Sequence, residues 1–144
     1  WATHVGGWAD STAWVAGDFN NDGKSDIAAS WNDGGALSTA VYLSDGSRFP
    51  GWTQWSNRDG GWIDAPSQKW VAGDFNGDRR TDIAAIWNDG GTNTITVSQS
   101  TGSSFTRRHW ATHVGGWADS TAWVAGDFNN DGKSDIAASW NSGS

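Results

Sequence analysis

The chain has 144 residues and a formal net charge of −7, and every one of its 16 acidic residues is Asp. That balance disfavours nucleic acid or an anionic membrane as a partner, and the absence of Cys excludes both a disulfide framework and thiolate chemistry. No apolar run is long enough to span a bilayer and no signal peptide is visible, while the start at Trp1 without Met reads as a processed or engineered one.

Thirteen Trp and 20 Gly, with no sustained 3.6-residue periodicity, argue for an all-β protein. Taken in order, Trp1–Val5 and Gly6-Gly7-Trp8 lead to a first extended run, Trp14–Phe19. Alternation puts Trp14, Ala16 and Asp18 on one face and Val15, Gly17 and Phe19 on the other. A loop of Asp, Asn and Gly turns into a second strand, Asp26–Asn32, and Asp33-Gly34-Gly35 turns into a third, Leu37–Leu43. Gly51–Ser56 forms the fourth. The pattern then repeats with a period of roughly 53–56 residues. Trp70–Trp87 and Trp123–Trp140 copy Trp14–Trp31, Thr94–Ser98 matches the third strand, and Thr106–Thr112 and Trp1–Val5 match the fourth. The repeat units are thus 1–54, 55–109 and a shorter 110–144, and residues 110–141 duplicate 1–32 letter for letter. Such identity reads as designed or recently duplicated.

Four short antiparallel strands per unit, apolar on both faces, describe a propeller blade, which is stable only between neighbours. Two whole units and part of a third do not close a ring. The expectation is head-to-tail association into a dimer or trimer, giving a ring of about six to eight blades.

The run Trp-Val-Ala-Gly-Asp-Phe-Asn-x-Asp-x-x-x-Asp-Ile-Ala-Ala-x-Trp is similar to the FG-GAP type of propeller repeat. Together with Trp-Ala-Thr-His-Val-Gly-Gly-Trp-Ala-Asp and Gly-Gly-Trp-Ile-Asp, it resembles the Photorhabdus-type bacterial propeller lectins over essentially the whole chain. The resemblance implies a seven-bladed ring that binds fucose and related sugars between blades. Those glycans and further copies of the chain are then its expected partners.

Three sets of residues are candidates for chemistry. In the loops, Asp18, Asn20, Asp22 and Asp26, and again Asp127, Asn129, Asp131 and Asp135, stand at positions 1, 3, 5 and 9, the spacing of a calcium loop. The second loop keeps Asp74, Asn76, Asp78 and Asp82 but carries Arg79 where Gly23 stands in the first. No Glu follows at position 12, and the alternative is a metal-free turn in which Asp and Asn accept backbone N–H bonds. No cofactor is required on either reading. Among the tryptophans, Trp14, Trp70 and Trp123 suit packing between blades. Trp8, Trp62 and Trp117 follow Gly-Gly, while Trp31, Trp87 and Trp140 end the second strand beside Asn32, Asn88 and Asn141. An indole face beside a fixed polar group is what a sugar ring needs, and packing alone is the competing role. His4, Arg58 and His113 share one aligned position and can donate to hydroxyls, or can be solvated edge residues. Arg107-Arg108-His109 reads as an exposed strand edge.

A multivalent lectin without catalysis leads. A propeller glycosidase would need one singular pair of carboxyl groups, which the in-register Asp residues do not offer. A self-assembling scaffold is the third reading.

Overall fold

The computed structural model describes residues 13–61, 68–117 and 122–140. Strands β1 (Ala13–Gly17), β2 (Asp26–Asp33), β3 (Ala36–Tyr42) and β4 (Thr53–Ser56) form one four-stranded antiparallel sheet in chain order. A second sheet repeats it with β5 (Lys69–Gly73), β6 (Asp82–Asp89), β7 (Thr92–Ser100) and β8 (Phe105–Gly116). A strand pair, β9 (Ala122–Gly126) and β10 (Asp135–Ser139), copies β1 and β2. The fold is all-β and built from propeller-type blades. The sheets are offset from the sequence repeats: the divisions after residues 54 and 109 fall inside β4 and β8. β8 is also longer than the sequence suggests, running on through the residues that match Trp1–Gly7, which lie outside the described residues.

The Gly pairs make the tight turns possible. Gly34 and Gly35 have φ of 60° and 84°, and Gly90 and Gly91 have 63° and 89°, the left-handed pair that a two-residue hairpin requires. Asn32 and Asn88 complete these turns, each accepting the N–H of the second Gly at 2.7 Å.

Alternation gives each sheet two unlike apolar faces. On the face that carries Val15, Phe19, Ala28 and Val41 are fully buried, and Trp55 nearly so. This Val face packs against the opposite face of the second sheet, where Trp70, Ile83 and Phe105 project. Phe19 and Phe105 meet edge-on at 5.9 Å, and Trp55 lies 5.3 Å from Phe105. The second sheet repeats the arrangement. Its Val71, Phe75, Ala84, Ile86 and Val97 cover Trp123, Ala125 and Ile136 on the Trp face of the β9–β10 pair. Small side chains on the inner strands let the sheets approach closely. A Cβ on Gly17 would lie 2.7 Å from that of Thr81, and one on Gly73 2.8 Å from that of Ser134. Each approach is sealed by a backbone bond of 2.7 Å, Thr81 N–H to the Asp18 carbonyl and Ser134 N–H to the Asp74 carbonyl.

One carboxylate per complete blade is buried. Asp26 accepts the N–H of Phe19 at 3.1 Å and of Ser44 at 2.9 Å, tying the β1–β2 loop to the end of β3. Asp82 does the same with Phe75 at 3.2 Å and Ser100 at 2.8 Å. Removal from water nevertheless dominates and raises both carboxyl groups, Asp82 to about 6, against the pull of the two N–H donors. A folded-state value above the unfolded one means that this group's stabilising contribution is full below about pH 4 and fades as pH rises through about 6. The stability lead of the wild type over Asp82→Asn is therefore expected to shrink by up to about 3 kcal/mol between pH 4 and pH 7. Urea unfolding of both proteins across that range checks it, and a lead that grows with pH contradicts it.

Candidate functional site

The loops between the first two strands of each blade share one internal design. Asp18 accepts the N–H groups of Asp22 and Gly23 at 3.0 and 2.8 Å. Asp22 accepts from Lys24 N–H at 3.0 Å, from the Lys24 ammonium at 2.8 Å and from the Asn20 amide at 3.1 Å. The Lys24 contact, followed by that of Asn20, holds the Asp22 carboxyl below its ordinary pKa. The third loop repeats the pattern with Asp127, Asn129 and Asp131, and Asp135 accepts the N–H of Phe128 at 3.1 Å. In the second loop Arg79 takes the left-handed conformation of Gly23, φ 69° against 83°. Its N–H is held by Asp74 at 2.7 Å, and Arg80 replaces Lys24 on Asp78 at 2.6 Å. The missing Gly therefore does not open this loop.

In this arrangement the loop carboxylates serve as acceptors within the turn. Both oxygens of Asp18 and of Asp26 already accept N–H donors. Asp26 is buried under the loop, and a Lys ammonium sits on Asp22. Among the described residues no group of three or more His, Cys, Asp or Glu is placed to hold a metal. The geometry is that of the self-contained turn.

The aligned Arg58 and His113 occupy one structural position. Both have positive φ, 53° and 55°, and both reach the tip of the β-hairpin beside them. Arg58 donates to the Asp33 carbonyl at 2.6 Å and lies 3.4 Å from its carboxylate, and His113 lies 3.1 Å from the Asp89 carboxylate. They latch the β2–β3 and β6–β7 turns. Each side chain is still more than half exposed, so its outer edge faces solvent. Asn32 and Asn88 are committed through their side-chain carbonyls to the same turns. Trp31 is half-buried and Trp87 buried, while Trp140 is 64% exposed. Trp117 packs into the seam between the second sheet and the β9–β10 pair. His4, Trp8, Trp62 and Asn141 lie outside the described residues.

A further polar cluster lies in the seam between the two complete sheets. Register places Trp87 opposite Thr94, Thr96 opposite His109, and Ser98 opposite Arg107, all on the Trp face of the second sheet. The ring of Trp87 meets that of His109 at 6.2 Å, and the imidazole Nδ1 is 3.2 Å from Thr96 Oγ1. Arg107 crosses the seam and donates to the carbonyls of Asp59 at 2.7 Å and Gly61 at 3.4 Å in the first sheet's connecting segment. Its Nε is buried without a partner among the described residues, and burial lowers its pKa. The expectation that residues 107–109 form only an exposed edge therefore holds for Arg108 and fails for Arg107, which is half-buried between blades. Strict alternation was the available signal, since Arg107 and His109 are two residues apart and must share a face.

The FG-GAP-like repeat model matches residues 18–85 and 74–138, overlapping spans that together cover most of the chain. The chain belongs to the FG-GAP-like repeat family. Its matched spans start at Asp18 and Asp74, the first residues of two successive loops, so the family pattern includes the loop carboxylates described above. No curated protein and no solved structure matches this FG-GAP-like chain. Among its described residues no helix is long and apolar enough to cross a membrane.

Since the loop carboxylates already serve backbone donors, millimolar calcium is expected to move the unfolding midpoint by less than about 1 °C, as is removal of divalent ions by a chelator. A rise of several degrees on adding calcium, as mass action requires for a tightly held ion, contradicts this arrangement of the loops.

Proposed function

We propose that this FG-GAP-like domain binds glycans, fucose and related sugars first among them, at the seams between blades and without catalysis. The observation that carries the reading is the meeting of Trp87, His109 and Arg107 with the Asp59–Gly61 backbone across one seam. A sugar needs an apolar surface for its C–H face and fixed donors for its hydroxyls. The exposed imidazole of His109, set against the buried Trp87, supplies the first. The Thr96-held imidazole and the anchored guanidinium supply the second.

The resemblance to bacterial propeller lectins supports the same class of ligand. The non-catalytic part of the reading is supported by the use made of the loop carboxylates, which close turns instead of facing one another across a cleft. Sites of this kind bind weakly one at a time, and repetition along the blades supplies avidity on a glycan-covered surface.

Titration of the chain with methyl fucoside, followed by NMR, is expected to give a dissociation constant of about a millimolar, the range in which a single shallow site contributes about 4 kcal/mol. His109→Ala, at an exposed position, should weaken binding about tenfold with unchanged thermal unfolding. No spectral change with fucosides, galactosides or a glycan array at tens-of-millimolar equivalents would end the proposal.

A further inference from the structure

We propose that the Val face of the β9–β10 pair is a docking surface for the Trp face of the first sheet in a second copy of this chain, so that copies join head to tail. The inference stands independently of the glycan reading, because it rests on how sheets meet within one chain.

That meeting occurs twice with the same parts. In each case the Val face of one sheet covers the Trp and Ile of the next, a Gly at the end of the inner strand receives a hydroxyl residue, and a backbone bond of 2.7 Å seals the approach. The donors are Thr81 and Ser134, and the acceptors are the Asp18 and Asp74 carbonyls. In the aligned register the third acceptor is Asp127 and the remaining donor is Ser25. Neither makes this bond among the described residues.

The free surfaces match the same scheme. Phe128 is 60% and Val124 54% exposed, whereas their counterparts Phe19 and Phe75 are 0% and 3% exposed and Val71 is 8%. Ala137, the counterpart of the fully buried Ala28 and Ala84, is only half-buried. Among the described residues a Cβ built on Gly126 meets the ring of Phe128, and no hydroxyl residue approaches it as Thr81 and Ser134 approach Gly17 and Gly73. At the opposite end, Ala16 is exposed, and Ile27 is half-buried where Ile83 is 2% exposed. Residues 122–139 are identical to 13–30, so the docking face is the one that β1 and β2 already present to the second sheet. A second copy offers Ser25, Ala16 and Ile27 in the register that Thr81, Ala72 and Ile83 use. An alternative in which β9–β10 displaces β1–β2 of the partner fits less well, because it would take over the Thr81 bond that Asp18 already holds.

Two substitutions at exposed positions separate the ends: Phe128→Asp blocks the Val face and Ala16→Asp blocks the Trp face. Native mass spectrometry and sedimentation of the 144-residue chain of 15.3 kDa should show the wild type as an oligomer at tens of micromolar. Each variant alone should sediment as a monomer with unchanged circular dichroism. An equimolar mixture should form a one-to-one dimer, since the intact Val face of Ala16→Asp meets the intact Trp face of Phe128→Asp. A monomeric wild type at these concentrations would overturn the proposal and leave both faces to blades of another chain. Variants that still associate, or a mixture that stays monomeric, would overturn it equally.

Discussion

Each sheet of this protein is apolar on both sides, and only another sheet can cover it. The packing of a Val face on a Trp face is therefore the interaction on which the remaining structure depends. Phe19 shows what it contributes. It is fully buried, packed edge-on to Phe105 of the next sheet, in a cluster that includes residues of both blades. Burial of such a side chain stabilises by roughly 2–3 kcal/mol. Phe128 has the same neighbours in sequence but no sheet against it among the described residues, and it stands mostly in solvent. Local sequence makes the strand and the loop; the neighbouring blade makes the core.

The polar elements follow from the same geometry. Asp82 and Asp135 anchor the loops that hold Thr81 and Ser134, whose N–H groups reach the preceding blade. Arg107 extends the contact to the outer rim, where the connecting segment of the first sheet would otherwise leave its carbonyls without a donor from the second. A seam built this way has a dry apolar inner half and a polar, aromatic outer half. Under the proposed glycan reading, stability and binding would occupy different depths of one interface.

Much of this was legible in the sequence. The period, the four strands, the two-Gly hairpins and the alternating faces all follow from residue types whose backbone or packing requirements are local. What was not legible depends on partners distant in the chain. The spacing of Asp18, Asn20, Asp22 and Asp26 matches a calcium loop because a turn closed by N–H donors needs the same alternation of short oxygen-bearing side chains. The Phe19 N–H, Ser44 N–H and Lys24 ammonium contacts that close the turn here are not visible in that spacing. Arg79 looked unsuited to a Gly position, yet its left-handed backbone is held by Asp74, a bond that no single-residue preference reveals. Charge usually marks solvent, which points Arg107 to an edge, while its place in the seam follows from a register set by β7.

Neighbouring blades, and not the strands themselves, supply the stability of each unit. Phe19→Ala and Phe128→Ala make the same change in the same local sequence, differing only in whether a sheet lies beyond it. Urea unfolding at concentrations dilute enough to keep the chain monomeric should show a loss of about 3–5 kcal/mol for Phe19→Ala and under about 1 kcal/mol for Phe128→Ala. Equal losses at the two positions would contradict the account.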